Sequence, residues 1–149
     1  MIRFMFARRE SILGYLLLSS ALLCAALFMA DWTRTGFDVS PAEANKTMHQ
    51  RLHVPDKASK VRFISTPRLT RVTFSISRPD FELWVRHMGF RTEIVSPEHP
   101  AAGFRLAKPD REVLMVIENG VSFTDGKSCG ISGSFDSAAG ICCEVFSCK

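Results

Sequence analysis

The feature that most constrains this chain is an uncharged, apolar run from Ser11 to Ala30. At about 1.5 Å per residue, a helix of this length spans roughly 30 Å, the thickness of the hydrocarbon core of a bilayer. Arg3, Arg8 and Arg9 precede the run, and Asp31 follows it directly. Because basic residues flanking a membrane helix stay on the cytoplasmic side, the sequence predicts a transmembrane signal-anchor helix with a cytoplasmic N-terminus.

A cleaved signal and a lipoprotein are the two alternatives to a retained anchor. Cleavage after Ala30 would place Phe28 where a signal peptidase requires a small residue. A lipoprotein would use Cys24, but the bulky Leu23 precedes it. The apolar run is also longer than the 7 to 15 residues typical of a cleaved signal. These features favour a retained anchor.

The anchor divides the chain into four predicted segments. Residues 1–10 form a basic cytoplasmic stub, 11–30 the transmembrane helix, 31–39 a tether, and 40–149 an extracytoplasmic domain. The last segment is long enough for one domain with a modest core and too short for two. The predicted localisation is therefore a single-pass membrane protein whose C-terminal domain is extracytoplasmic.

Hydrophobic periodicity predicts that this domain is α+β. Residues 69–77 alternate between apolar and polar side chains, which is typical of a strand wet on one face. Ser40 and Ser77 each precede a proline and an acidic residue and are predicted helix N-caps, and Gly89 is the predicted C-terminal residue of the second helix. That helix carries apolar residues at helical spacing: Phe81, Trp84, Val85 and Met88.

The rest of the domain is predicted to be β-structure and loops. Residues 96–103, which contain two prolines, are predicted to be a loop, whereas 112–117 are predicted to be a strand. Asn119-Gly120 is typical of a tight hairpin turn. The predicted fold is therefore an N-terminal transmembrane helix followed by one small domain, in which one amphipathic helix packs on a mostly antiparallel sheet.

Four cysteines lie outside the anchor and close to the C-terminus: Cys129, Cys142, Cys143 and Cys148. In an oxidising compartment an even set predicts two disulfides, with three pairings open. Neighbouring strand residues point to opposite faces, so Cys142 and Cys143 should have different partners. Free thiols, metal binding and redox chemistry are the alternatives, but the spacing matches no metal template and contains no Cys-x-x-Cys.

No motif for catalysis, for a cofactor or for a metal is found. The segment Gly130-Ile131-Ser132-Gly133 lacks the spacing of a nucleophile elbow. The net charge is +4, but the basic residues beyond the anchor are interleaved with acidic ones and form no stripe. This pattern opposes nucleic-acid binding. The predicted partners are the membrane and a protein, with no nucleic acid.

A set of short segments resembles a known group of proteins. The segments are Val72-Thr73-Phe74-Ser75-Ile76-Ser77, Asp80-Phe81 with Trp84, Asn119-Gly120, and Phe135-Asp136. Their arrangement is similar to that in a group of small, uncharacterised bacterial exported or membrane-anchored proteins. The resemblance covers about Pro55 to Phe146 and implies no activity, and the cysteines of the tail depart from the group's pattern.

The sequence leaves three functional hypotheses. The first is a binding, adaptor or envelope-structural module without catalysis. The second is a small envelope enzyme or thiol-redox protein that uses the C-terminal cysteines. The third is an accessory subunit of a membrane complex that packs through Ser19, Ser20 and Cys24. An exposed apolar patch would favour the first hypothesis, and a cleft with a reactive cysteine would favour the second.

Overall fold

The computed structural model describes residues 15, 17–25, 33–49, 52–108 and 111–148, the last without its side chain. The chain forms two compact units, Met1–Thr33 and Arg34–Lys149.

The first unit contains a helix, α1, at residues 15 and 17–25. Among the described residues, no helix is long and apolar enough to cross a membrane. The predictions of a transmembrane signal-anchor at 11–30 and of a single-pass membrane localisation are therefore wrong. The physical reason is length, because the described helical residues cover only about half of a hydrocarbon core of roughly 30 Å. Residues 1–10 and the remaining residues of the predicted span lie outside the described part of the chain.

The second unit contains nine strands and two helices among its described residues. In chain order they are β1 (Arg34–Val39), α2 (Pro41–Thr47), β2 (Ser59–Ser65), β3 (Leu69–Ser75), α3 (Arg78–Met88), β4 (Arg91–Val95), β5 (Ala101–Lys108), β6 (Arg111–Ile117), β7 (Gly120–Thr124), β8 (Cys129–Asp136) and β9 (Ile141–Cys148).

The strands form two sheets. Seven of them lie in the order β1-β2-β3-β9-β8-β7-β4, and β5 and β6 form a separate two-stranded sheet. Every strand pair that the structure describes is antiparallel. The predicted mostly antiparallel sheet is thus confirmed, but β1 falls within the predicted tether at 31–39 and β5 begins within the predicted loop at 96–103.

The two helices begin where their capping residues predict. The Ser40 hydroxyl accepts a hydrogen bond from the Glu43 amide at 3.2 Å, and the Ser77 hydroxyl accepts one from the Asp80 amide at 3.3 Å. Each bond satisfies an amide that the first helical turn leaves unpaired. Helix α3 ends at Gly89, whose φ of 70° is the left-handed conformation that glycine adopts without strain.

The main core lies between α3 and one face of the seven-stranded sheet. The predicted amphipathic face of α3 is confirmed, because Phe81, Trp84 and Val85 are buried. The Phe81 ring stacks on Phe135 with centroids 4.3 Å apart. The Trp84 indole donates a hydrogen bond to the His53 carbonyl at 2.8 Å, so its one polar group is satisfied. Burial of each such side chain contributes about 2–3 kcal/mol.

A second, smaller core lies on the opposite face of the same sheet, against the β5–β6 hairpin. Its buried members are Val95, Phe104, Leu106, Ile117 and Cys143. Because strand residues alternate between faces, Cys143 belongs to this cluster and its neighbour Cys142 belongs to the main core. The predicted opposite orientation of these two cysteines is confirmed.

Candidate functional site

The tail cysteines do not form the two predicted disulfides. Cys142 and Cys143 are free thiols, and both are buried. They face different cores, and apolar side chains rather than other cysteines surround them. The register of β8 and β9 places Cys129 directly opposite Cys148. The prediction of two bridges among Cys129, Cys142, Cys143 and Cys148 is therefore wrong, because Cys142 and Cys143 take part in none, whereas Cys129 is disulfide-bonded.

The two free thiols are poorly suited to redox or nucleophilic chemistry. Burial raises the pKa of the Cys142 thiol well above its ordinary value, and the nearby Glu144 carboxyl raises it further. Burial also raises the pKa of Cys143, whose Sγ donates a weak hydrogen bond to the Ser134 carbonyl at 3.4 Å. Because the thiolate is the reactive form, these environments favour inert structural cysteines.

Glu144 is the most unusual buried group, and the sequence did not single it out. It is fully buried in the middle of β9, and neither carboxyl oxygen has a hydrogen-bond partner among the described residues. Its partners in the sheet register are Val72 and Gly133. Burial raises the pKa of this carboxyl to about 8. The spacing of this residue in the sequence could have indicated its burial. Glu144 lies two residues after Cys142 in the same strand, so both side chains point to the same face, toward the main core.

A cleft of about 580 Å³ lies between the β5–β6 hairpin and the second face of the seven-stranded sheet. Charged and hydroxyl side chains line it, including Arg71, Arg91, Glu93, Glu112, Ser122 and Ser132. None of these residues is predicted from the sequence to belong to a site. They come from five strands, so only the arrangement of the strands in the sheets brings them together.

Two cross-strand rows of side chains form the floor of this cleft. Residues directly opposite each other in antiparallel strands point to the same face. The first row, from β4 to β3, consists of Arg91, Thr124, Ser132, Val145 and Arg71. The second row, from β4 to β9, consists of Glu93, Ser122, Ser134 and Cys143. The floor is therefore rich in hydroxyl groups and carries charges of both signs.

Arginine side chains fasten the hairpin to the sheet beside the cleft. Arg71 of β3 forms an ion pair with Glu112 of β6, and its guanidinium lies 5.9 Å from the centre of the Phe104 ring. Arg62 of β2 donates a hydrogen bond to the Leu106 carbonyl at 2.9 Å. These contacts join β2 and β3 of the large sheet to the β5–β6 hairpin, which is distant in sequence. They hold the two walls of the cleft together.

The hairpin also presents an apolar edge to solvent. In β6 the side chains of Leu114 and Val116 are 80% and 69% exposed, and Val113 is 43% exposed. An apolar groove of about 380 Å³ runs beside them and is lined by residues 100–103 and 114–116. Among the described residues, β6 pairs with β5 alone, so its other edge carries no neighbouring strand.

Within the described ranges, no group of three or more His, Cys, Asp or Glu side chains could hold a metal ion.

Comparisons with known proteins assign no family to this chain. No protein-family model, curated protein or solved structure matches the chain.

Proposed function

We propose that this protein is a non-catalytic binding module that takes up an extended segment of a partner protein along strand β6. The observation that carries the proposal is the exposure of Leu114 and Val116 on a strand with one open edge. An exposed apolar edge strand is a liability for a protein unless something covers it. A bound segment of a partner protein would cover this edge.

Strand addition is the recognition mode that fits this edge. The open side of a strand offers unpaired N–H and C=O groups, which bind the backbone of an incoming peptide. Alternate peptide side chains then face the same side as Leu114 and Val116 or the opposite side. The adjacent apolar groove supplies a surface for one of these sets. We therefore expect the bound segment to carry apolar, β-branched or aromatic residues at alternate positions.

A thiol-redox function is supported less well. Its reactive groups would be Cys142 and Cys143, but both thiols are buried and have raised pKa values. Neither cysteine lies on β6 or in the apolar groove.

The proposal can be tested by selecting peptides from a random display library on the full chain. Peptides that bind by strand addition should have alternating apolar residues, and N-methylation of alternate backbone amides should abolish their binding. Val116→Asp should weaken binding at least tenfold because it places a charge in the apolar contact. Leu83→Asp is the matched control, since Leu83 is 59% exposed on α3.

Hydrogen exchange supplies a second readout. A bound peptide should slow exchange of β6 amides and leave the amides of α3 unchanged. Protection elsewhere, or binding that survives both N-methylation and Val116→Asp, would contradict strand addition. Concentration-dependent self-association lost in Val116→Asp would instead identify a second copy of the chain as the occupant of this edge.

A further inference from the structure

The cleft between the hairpin and the sheet is chemically distinct from the apolar edge of β6. Ser122 and Ser132 both line this cleft from adjacent strands, at diagonal positions of the register and one in each row. Neither hydroxyl makes a hydrogen bond within the described part of the chain. Each can both donate and accept. The floor therefore offers unused hydrogen-bonding groups of both kinds.

The charges around the cleft cancel. Arg71 is neutralised by its ion pair with Glu112 on the hairpin side. At the other end, Arg91 and Glu93 lie two residues apart on β4, and both line the cleft. A lining with two positive and two negative groups attracts neither a polyanion nor a polycation strongly. This balance favours an uncharged ligand.

The shape and the apolar part of the lining limit the ligand further. The first row crosses five strands, and at about 4.8 Å between strands it extends roughly 19 Å. Val145 lies within that row, and Phe104 and Leu114 line the cleft from the hairpin. The cleft thus combines hydrogen-bonding groups with C–H surface along an elongated path.

We propose that this cleft binds a short neutral oligosaccharide across the hydroxyl-rich floor, with Ser122 and Ser132 as hydrogen-bonding partners. Sugar hydroxyls donate and accept as serine hydroxyls do, and the C–H faces of the rings pack on apolar side chains. Arg91 and Glu93 add a donor and an acceptor at the open end. This site shares Leu114 with the proposed peptide edge. Ser122 and Ser132 line the cleft alone and Val116 lines the apolar groove alone, so variants at these positions test the two proposals separately.

The test is a titration of the full chain with neutral trisaccharides of glucose, N-acetylglucosamine and mannose, and with trigalacturonate as the charged comparator. Isothermal titration calorimetry measures affinity, and amide chemical shifts in ¹⁵N-labelled protein locate the site. We expect at least one neutral trisaccharide to bind and to shift the amides of Ser122, Ser132 and Arg91. Trigalacturonate should bind more weakly.

The double variant Ser122→Ala/Ser132→Ala should lower the affinity about tenfold, because each change removes one hydrogen-bonding partner. Thr92→Ala is the matched control, since Thr92 is an exposed residue of β4 that points away from the cleft. Binding by no neutral trisaccharide, tighter binding of trigalacturonate, or shifts confined to other surfaces would overturn the proposal. The shift map uses the unmodified protein and stays decisive if the double variant fails to fold.

Discussion

Glu144 makes the stability of this protein depend on pH. Its folded-state pKa of about 8 lies above the ordinary value of 4.5. Stability that is fully present below about pH 4.5 is therefore lost as the pH rises to about 8, because the folded state must then hold an unpaired buried charge.

Glu144→Gln should remove that loss. Urea unfolding at pH 9 should show the variant to be more stable than the parent by up to roughly 5 kcal/mol, an upper bound set by the difference between the two pKa values. At pH 4 the two proteins should differ little, because the parent carboxyl is then neutral in both states. Equal stabilities at pH 9 would mean that the carboxyl is solvated or paired in the folded protein.

The cysteines should differ sharply in reactivity. Cys24 is an exposed free thiol, whereas Cys142 and Cys143 are buried and have raised pKa values. Alkylation at pH 8 without reductant should label Cys24 in the native protein and should label Cys142 and Cys143 only in denaturant. Peptide mass mapping distinguishes the sites. Rapid labelling of Cys143 in the native protein would instead support the thiol-chemistry hypothesis.

At the scale of the elements, the capping of α3 links the sequence to the main core. Ser77→Ala removes the hydroxyl that accepts from the Asp80 amide. We expect a loss of about 1 kcal/mol in the free energy of unfolding, which is typical of an N-cap. Ser128→Ala, in an exposed bend, is the control and should be nearly neutral. A neutral Ser77→Ala would indicate that packing of Trp84 and Phe81 alone positions the helix.

Local patterns were sufficient to predict some elements and failed for others. The alternation of 69–77 and the caps of α3 were informative because each depends on residues close in sequence. Strand β5 was missed because Pro97 and Pro100 precede it and obscure its start. The apolar run at 11–30 predicted a membrane helix because hydropathy reports on composition and does not fix where a helix begins and ends.

The candidate sites were beyond prediction for a different reason. Arg71 and Glu112 meet across the cleft although 41 residues separate them. Their proximity follows from the order of the strands and from the register, which no single segment encodes. Glu144 was missed because an acidic residue is ordinarily expected at the surface.

At the scale of the whole molecule, both cores lie within the second compact unit. A unit with its own core can fold alone. A fragment of residues 34–149 should therefore unfold cooperatively, with a free energy of unfolding within about 1 kcal/mol of the full chain. Chemical denaturation of both proteins, followed by far-UV circular dichroism, makes the comparison, because the full chain carries a second tryptophan, Trp32, that the fragment lacks. A fragment without a cooperative transition would show that residues 1–33 contribute to folding.

Strand β9 lies between β3 and β8 and, among the described strands, it alone joins β1-β2-β3 to β8-β7-β4. Ser147 of β9 pairs with Leu69 of β3, which lies much earlier in the chain. During synthesis on the ribosome, β3 and β8 therefore expose open edges until β9 has emerged. Contacts so distant in sequence form slowly, so we expect the incomplete chain to be more prone to aggregation than the full chain.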